Sequence, residues 1–344
     1  MTLRPPALHI PAARRLEVVD SHTCGQPTRV VIAGAGLTPG MDPCAARDAL
    51  RDNADWVRRT AVMEPRAHRS MFGVAMIPPA HAGDLFGAVY MDAHGYPDMC
   101  GHATIGFATT LFAAGWLTAA DGRHDFAIRT PMGLVDLTAR LEQGVCRAVA
   151  FRAPLAYYLG AVDLVLGDGR TCRVEIGHGG QWYAFVPVAL TGLSVAPAHI
   201  DGLVAAAAPV RAALAAQLAL VDPLSGRVPA VGNIVWVDDE LPAGADGRNV
   251  PVAASGAFDR SPCGTATCAR MAVLAATGRL AVGQPFVNVG LMGTRYDGQL
   301  VAARTVDGVA GFVPQVEGSA WMTGQGMLVV DPADPLGDSF LCPP

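Results

Sequence analysis

Lysine is missing from this chain: all 25 of its basic residues are arginine. Without a lysine amine, no side chain can form the Schiff base of pyridoxal phosphate, and no P-loop lysine can grip a nucleotide phosphate. No Gly-x-Gly-x-x-Gly turn follows a strand pattern, so a nicotinamide dinucleotide has no seat. Cys-x-x-Cys pairs are missing too, and Cys263 and Cys268 have no second pair nearby, which leaves structural zinc without a ligand set. No cofactor and no metal are therefore expected, and the side chains carry the chemistry unaided. Basic runs are absent and the formal net charge is −5, which removes the electrostatic basis for binding nucleic acid or an anionic membrane surface. The segment Met1 to Pro6 lacks the apolar core of a signal peptide, and no later stretch reads as long and apolar enough to span a bilayer. A cytoplasmic protein acting on a small molecule is the expectation, with a homodimer left open.

What is present is apolar and repeated. A chain of 344 residues with 51% hydrophobic content can build two medium domains, each with its own core. Its eight cysteines are too sparse for a disulfide scaffold and should be free. Cys44, Cys146, Cys172 and Cys342 read as inert small hydrophobes. The stretch Met99-Cys100-Gly101-His102-Ala103-Thr104-Ile105-Gly106 is echoed downstream by Pro262-Cys263-Gly264-Thr265-Ala266-Thr267-Cys268-Ala269. Both copies share the frame Cys-Gly-x-Ala-Thr, and both run into small and apolar residues that predict helices over 101–114 and 264–276. A cysteine at a helix start meets unpaired N–H groups and the positive end of the helix dipole, which favour thiolate over thiol. Two such cysteines suggest a matched acid and base.

Around these helices the chain order repeats. Leu16 to Val19 and Thr28 to Ile32 read as strands joined by a polar connection, Asp20 to Pro27, in which His22 and Thr23 could meet a ligand. Asp42-Pro43 caps a surface helix reaching to about Arg59. Met63 to His68 reads as a structural turn, and strands follow at 74–77 and 85–91. After the first helix come strands at 127–130, 133–139, 145–152 and 162–166, with Pro154 marking a hinge. The span 173–188 opens the second half, where His178 and Gln181 faintly echo His22 and Gln26. An alanine-rich helix over 196–217, a buried strand over 233–237 and a loop over 242–249 lead to the second helix. Strands at 286–291, 299–305 and 318–323 and an irregular tail from Pro332 complete the chain. Two related α/β domains, 1–158 and 159–344, would face each other with both helix starts at a common cleft. The last ~20 residues are free to pack back on the first domain.

These blocks resemble the proline racemase family, which includes 4-hydroxyproline 2-epimerases and trans-3-hydroxyproline dehydratases. The resemblance runs over nearly the whole chain: Asp20-Ser21-His22-Thr23 with Pro27-Thr28-Arg29, Met63-Glu64-Pro65-Arg66 with His68, Met99-Cys100-Gly101-His102, Gly179-Gly180 with Tyr183-Ala184, Asn233-Ile234-Val235, and Asp259 through Thr265. It implies a diaminopimelate-epimerase-like fold, with two similar domains that are each a strongly curved sheet around a central helix. It implies catalytic thiols at Cys100 and Cys263, with Gly101, His102, Gly264 and Thr265 on the substrate carboxylate and Asp259 accepting from the ring nitrogen. The activity implied is inversion at the Cα of 4-hydroxyproline, with proline racemase and trans-3-hydroxyproline dehydratase as alternatives. Dehydratases of the family typically carry threonine at the second cysteine position, so Cys263 argues against dehydration. A thiol-based binding protein or redox sensor is the alternative of a different class. The chain departs from the family pattern at Cys24 and Gln26, which replace a glycine and a glutamate. Ala67, Ala103 and Ala266 replace glycines, and His178 stands where an aromatic is common. Added methyl groups beside ligand-touching backbone would narrow a pocket.

Overall fold

Runs of Val, Ile, Leu and Thr dominate the chain between its turns, and each Cys-Gly block continues into a helix that is apolar on nearly every side. Such a helix is stable only when surrounded. The computed structural model describes residues 10–153 and 155–342. The Met1 to Pro6 segment and the hinge expected at Pro154 lie outside the described residues.

The first half comprises β1 (Arg14–Thr23), β2 (Gln26–Ala33), α1 (Pro43–Asn53), α2 (Trp56–Val62), β3 (Phe72–Ile77), β4 (Gly87–Met91), α3 (Gly101–Ala113), β5 (Gly122–Thr130), β6 (Gly133–Glu142) and β7 (Val145–Arg152). The second comprises β8 (Tyr157–Val165), β9 (Thr171–His178), β10 (Trp182–Pro187), α4 (Ile200–Gln217), β11 (Asn233–Val237), β12 (Gly247–Val252), α5 (Gly264–Ala276), β13 (Pro285–Val289), β14 (Arg295–Val306) and β15 (Val309–Gly318). A final strand, β16 (Ala320–Val330), returns to pair with β1.

All sixteen strands form one sheet, ordered β16-β1-β2-β3-β4-β5-β6-β7 and then β15-β14-β13-β12-β11-β10-β9-β8. Read from either outer edge, the pairings follow one sequence: antiparallel, antiparallel, parallel, antiparallel, parallel, antiparallel, antiparallel. Each parallel step needs a crossover, and the helices supply all four. The halves meet where β7 pairs antiparallel with β15. Each half wraps its curved sheet around one helix: α3 packs on β1, β2, β3, β7 and β16, and α5 on β8, β9, β10, β14 and β15. Every residue of α3 from Gly101 to Leu111 is buried. Its threonines survive there because Thr104, Thr109 and Thr110 each donate to the carbonyl four residues back, at 2.8 Å. The expected α/β fold of two similar domains is met in this arrangement.

Several local expectations are corrected. The polar connection from Asp20 to Pro27 shrinks to a two-residue turn, Cys24-Gly25, whose φ values of 50° and 98° suit a tight hairpin. Asp20 lies within β1, where its carboxylate binds Arg29 across the ladder at 2.8 Å. The helix expected to reach about Arg59 breaks at Ala54 and resumes as α2, whose Arg58 pairs with Asp55 and donates to the Asp92 and Ala93 carbonyls. Residues 247–249, read as loop, begin β12, which finds partners in both β11 and β13. The strand β15 went unread because Gly311 and Pro314 interrupt its pattern, yet it pairs with β14 along its length. Among the described residues one stretch, Pro197–Gln217, is long and apolar enough by composition to cross a membrane, contrary to expectation. It includes α4, which carries Asp201 and Arg211 and buries Leu203, Ala207, Val210 and Leu214 while packing on β8, β11 and β12.

Candidate active site

Cys100 and Cys263 are the N-caps of α3 and α5. The glycines that follow them let the two helix starts meet. A Cβ built on Gly101 would lie 3.2 Å from the Gly264 Cα, and one on Gly264 would lie 3.3 Å from the Gly101 Cα. Both would also come within 2.8 Å of the Phe151 ring, which stands on β7 at the junction of the halves. Any side chain at either position would push the starts apart.

The starts open on one cavity of about 190 Å³, below the roughly 300–1,000 Å³ of drug-sized ligand sites. Cys100, Gly101, His102, Asp259, Cys263, Gly264 and Thr265, all singled out from the sequence, line it together. Gln26, Arg69, Ser70, Phe72, Tyr183 and Phe258 line it too, and sequence reasoning gave none of them a role. Their signals were faint: Gln26 was visible as a departure from the family pattern and through its faint echo in Gln181, and Arg69 and Ser70 directly follow the Met63 to His68 block. Gln26 ties the halves together, donating from Nε2 to the Ser70 carbonyl at 2.7 Å and accepting the Arg260 N–H at 3.0 Å. His22 is not among the lining residues. It stacks on Trp321 with ring centroids 5.2 Å apart and accepts the Gly25 N–H. Thr23 is buried and donates to the His102 carbonyl at 2.8 Å. The Met63 to His68 turn serves structure, as expected: Arg66 donates to the Val329 carbonyl and to the Ser339 hydroxyl.

Asp259 is held by one oxygen. Its Oδ1 accepts the backbone N–H and the hydroxyl of Ser261, both at 2.8 Å, which leaves Oδ2 for a ligand. The thiols have different neighbours. Cys100 Sγ lies 3.3 Å from His102 Nδ1, and the His102 ring meets Phe72 edge-on at 4.9 Å. Burial pushes the His102 imidazole down, with the Asp259 charge pulling the other way, so the ring is neutral near pH 7. Cys263 Sγ lies 3.7 Å from Thr265 Oγ1 and 3.8 Å from Tyr183 Oη. Those two hydroxyls bond each other at 2.6 Å; one proton serves that bond and the other is left to face the sulfur. The backbones differ as well. Cys100 has an extended φ of −147°, whereas Cys263 has a left-handed φ of 64°; such a conformation strains a non-glycine residue by about 1–3 kcal/mol.

The expected thiolates are not the resting state of this site. Burial first and the Asp259 charge second push the Cys263 thiol up to about 12, against the Ala266 N–H and the Thr265 and Tyr183 hydroxyls. Burial also drives Cys100 well above the ordinary thiol range, with the Ala103 N–H opposing it. Desolvation outweighs the helix-start donors at both sites. The other cysteines are free, as expected, although Cys342 is exposed rather than packed as a hydrophobe.

A mirrored pair of curved sheets, each around one helix, with two cysteine N-caps at a shared cavity, is an epimerase-type fold. The sequence profile described as proline racemase matches residues 18–341. The chain is 34% identical over 332 residues to the 4-hydroxyproline 2-epimerase of Streptosporangium roseum, covering 95% of this chain and 98% of that one. It is 31% identical over 330 residues to the proline racemase of Clostridioides difficile, covering 96% and 98%. The crystal structure of a hydroxyproline epimerase from Agrobacterium vitis, with bound trans-4-hydroxy-L-proline, superposes with a TM-score of 0.83 at 25% identity, covering 96% of this chain and 95% of that one. The chain belongs to the proline racemase family of isomerases.

Proposed function

We propose that this protein interconverts the Cα epimers of 4-hydroxyproline without a cofactor, using Cys100 and Cys263 as the two proton carriers. The observation that carries this reading is the pair of cysteine N-caps opening on one small cavity beside the free Oδ2 of Asp259. The similarity to relatives named for hydroxyproline supports the substrate. The absence of lysine from the sequence leaves pyridoxal phosphate no anchor. Eight free cysteines fit a reducing cytoplasm, where we place the protein.

The carboxylate of the amino acid sits on the N–H groups of Gly101, His102, Gly264 and Thr265, and its ring ammonium on Asp259. That cation offsets the Asp259 charge, one of the two causes that hold the Cys263 thiol protonated. One cysteine first loses its thiol proton to solvent and, as thiolate, takes the Cα proton; the C–H bond breaks, an S–H bond forms, and the electron pair moves onto the carboxylate. Helix-start N–H groups stabilise that developing charge. The opposite thiol then gives its proton to the other face and is left as thiolate, with each proton transfer contributing roughly 10² to 10⁴ in rate.

Incubating the enzyme in deuterium oxide with 4-hydroxyproline, proline and 3-hydroxyproline in parallel tests the reading. Inversion with deuterium at Cα is expected for 4-hydroxyproline in preference to proline. No exchange with any of the three would sink it, and water loss from 3-hydroxyproline would make the enzyme a dehydratase.

A further inference from the structure

The left-handed backbone of Cys263 is held by a buried polar clamp that has no counterpart at Cys100 among the described residues. The carbonyl of Pro262, the residue before it, accepts from Asn249 Nδ2 at 3.0 Å, while Thr267 gives its one hydroxyl proton to the Cys263 carbonyl at 2.7 Å. Asn288 Nδ2 spends its two protons on Asn249 Oδ1 at 2.6 Å and Thr267 Oγ1 at 2.8 Å, which locks the three side chains to one another. On the other side of the cysteine peptide, the Cys263 N–H donates to Ser261 Oγ at 3.1 Å. That hydroxyl accepts from Tyr296 Oη at 3.3 Å and donates to Asp259 Oδ1 at 2.8 Å, so its one proton and both lone pairs are engaged. The Pro262-Cys263 peptide is thus gripped at its oxygen and at its N–H.

All five clamp residues, Asn249, Ser261, Thr267, Asn288 and Tyr296, are buried. Asn288 keeps its Oδ1 without a partner, so the amide sits where its donors are needed rather than where stability is best served. Gly290 packs below: a Cβ there would fall 2.6 Å from the Pro262 nitrogen. In the first half Thr104, at the same place in its helix as Thr267, meets Tyr90 instead. Among the described residues nothing comparable holds the Met99 carbonyl, and Cys100 needs no such grip in its extended conformation.

We propose that Asn249, Asn288, Ser261 and Tyr296 are positioning residues that hold Cys263 in its strained N-cap conformation, aiming its thiol into the cavity and presenting Asp259 beside it. The inference rests on the reading of Cys263 as a proton carrier. Relaxation of the peptide to an ordinary φ would swing the sulfur off the substrate face, and a misplacement of this kind is worth on the order of 10²-fold in rate. The cost falls on kcat, because the carboxylate-binding N–H groups of α3 and α5 stay in place.

The test uses the full chain with Asn288→Ala and, as a variant that deletes a single oxygen and keeps the packing, Tyr296→Phe. For each, kcat and KM for 4-hydroxyproline are measured alongside alkylation rates of Cys263 and Cys100 by peptide mass mapping, with Cys100 as internal control. The clamp predicts kcat down by roughly 10²-fold for Asn288→Ala and less for Tyr296→Phe, at nearly constant KM. It also predicts slowed alkylation of Cys263 alone. Wild-type kcat in both variants, or equal changes at the two thiols, overturns the clamp. Cys263→Ala, assayed in parallel, separates this from the reading beneath it: normal epimerisation there removes the catalytic role itself, whereas an inactive Cys263→Ala beside normal clamp variants removes only the clamp.

Discussion

In the first half the chain enters its central helix through an extended residue, Cys100 at φ −147°, and in the second through a left-handed one, Cys263 at φ 64°. The strand pairings around the two helices are the same step for step, and both following glycines face the same Phe151 ring. The outermost strand is again supplied differently: β8 precedes the rest of its half, whereas β16 comes from the far end of the chain and completes the first half beside β1. Backbone architecture and side-chain surroundings have therefore diverged to different extents. Sheet pairing and helix burial tolerate no change of pattern, because each alteration exposes a row of backbone groups. The groups beside each thiol are a few side chains, and they differ: an imidazole at Cys100, two hydroxyls at Cys263.

The sharpest way to break the comparison is to remove one thiol at a time. Cys100→Ala and Cys263→Ala should each lower epimerisation by roughly 10²- to 10⁴-fold, the scale of a lost proton carrier. In deuterium oxide each variant should still exchange the Cα hydrogen of only the epimer that faces the surviving thiol. Exchange from both epimers by either variant would show that one cysteine reaches both faces.

A second comparison concerns the helix starts. Gly101→Ala and Gly264→Ala each place a methyl 2.8 Å from Phe151, so both should lose about 1–3 kcal/mol of stability in urea titrations. Similar losses are expected because one ring opposes both methyls, and Phe151→Leu should recover part of each. Wild-type stability for one of the two would mean that the halves are not equally close-packed.

Titration separates the thiols further. With Cys263 pushed up to about 12, its alkylation in the empty enzyme should rise roughly tenfold per pH unit from neutrality, with no plateau below pH 10. The Asp259 charge helps to hold it there, so Asp259→Asn should speed alkylation at fixed pH while weakening substrate binding. A plateau near neutral pH would mean that the helix start, not burial, governs this thiol.

The smallest effect lies at the hairpin turns. The first half turns through Cys24-Gly25 and the second through Gly179-Gly180-Gln181, and burial pushes the Cys24 thiol from 9.0 up to about 11. The folded state holds that proton more tightly than the unfolded chain does. Its contribution is therefore fully present below pH 9.0 and lost as pH rises toward about 11. Cys24→Ala should flatten this alkaline loss, by about 1.4 kcal/mol per pH unit at most, in unfolding measurements between those limits. An unchanged slope would remove Cys24 from the alkaline transition.

The helices over 101–113 and 264–276 were legible almost to the residue, because a cysteine N-cap, a glycine and a run of small apolar residues are local signals. The strands 145–152 and 233–237 were legible for the same reason. The strand β12 was hidden by Arg248, Asn249 and Pro251, whose places depend on neighbours far along the chain. Among cavity residues, those next to the cysteines could be named. Gln26, Arg69 and Phe72 could not, since they reach the site from separate strands and loops of the first half.

By itself, the sequence determined that two cysteines would each stand at a buried helix start, that glycine would follow each, and that no lysine would take part. These depend on interactions within four residues of one another or on composition. Only the tertiary structure decided that the two starts would meet over Phe151, that β16 would return to the first half, and that Cys263 would be clamped in a left-handed conformation. It also decided that both thiols would rest protonated. Desolvation sums over every neighbour that excludes water, most of them distant in sequence, and here it exceeds the local pull of the helix start.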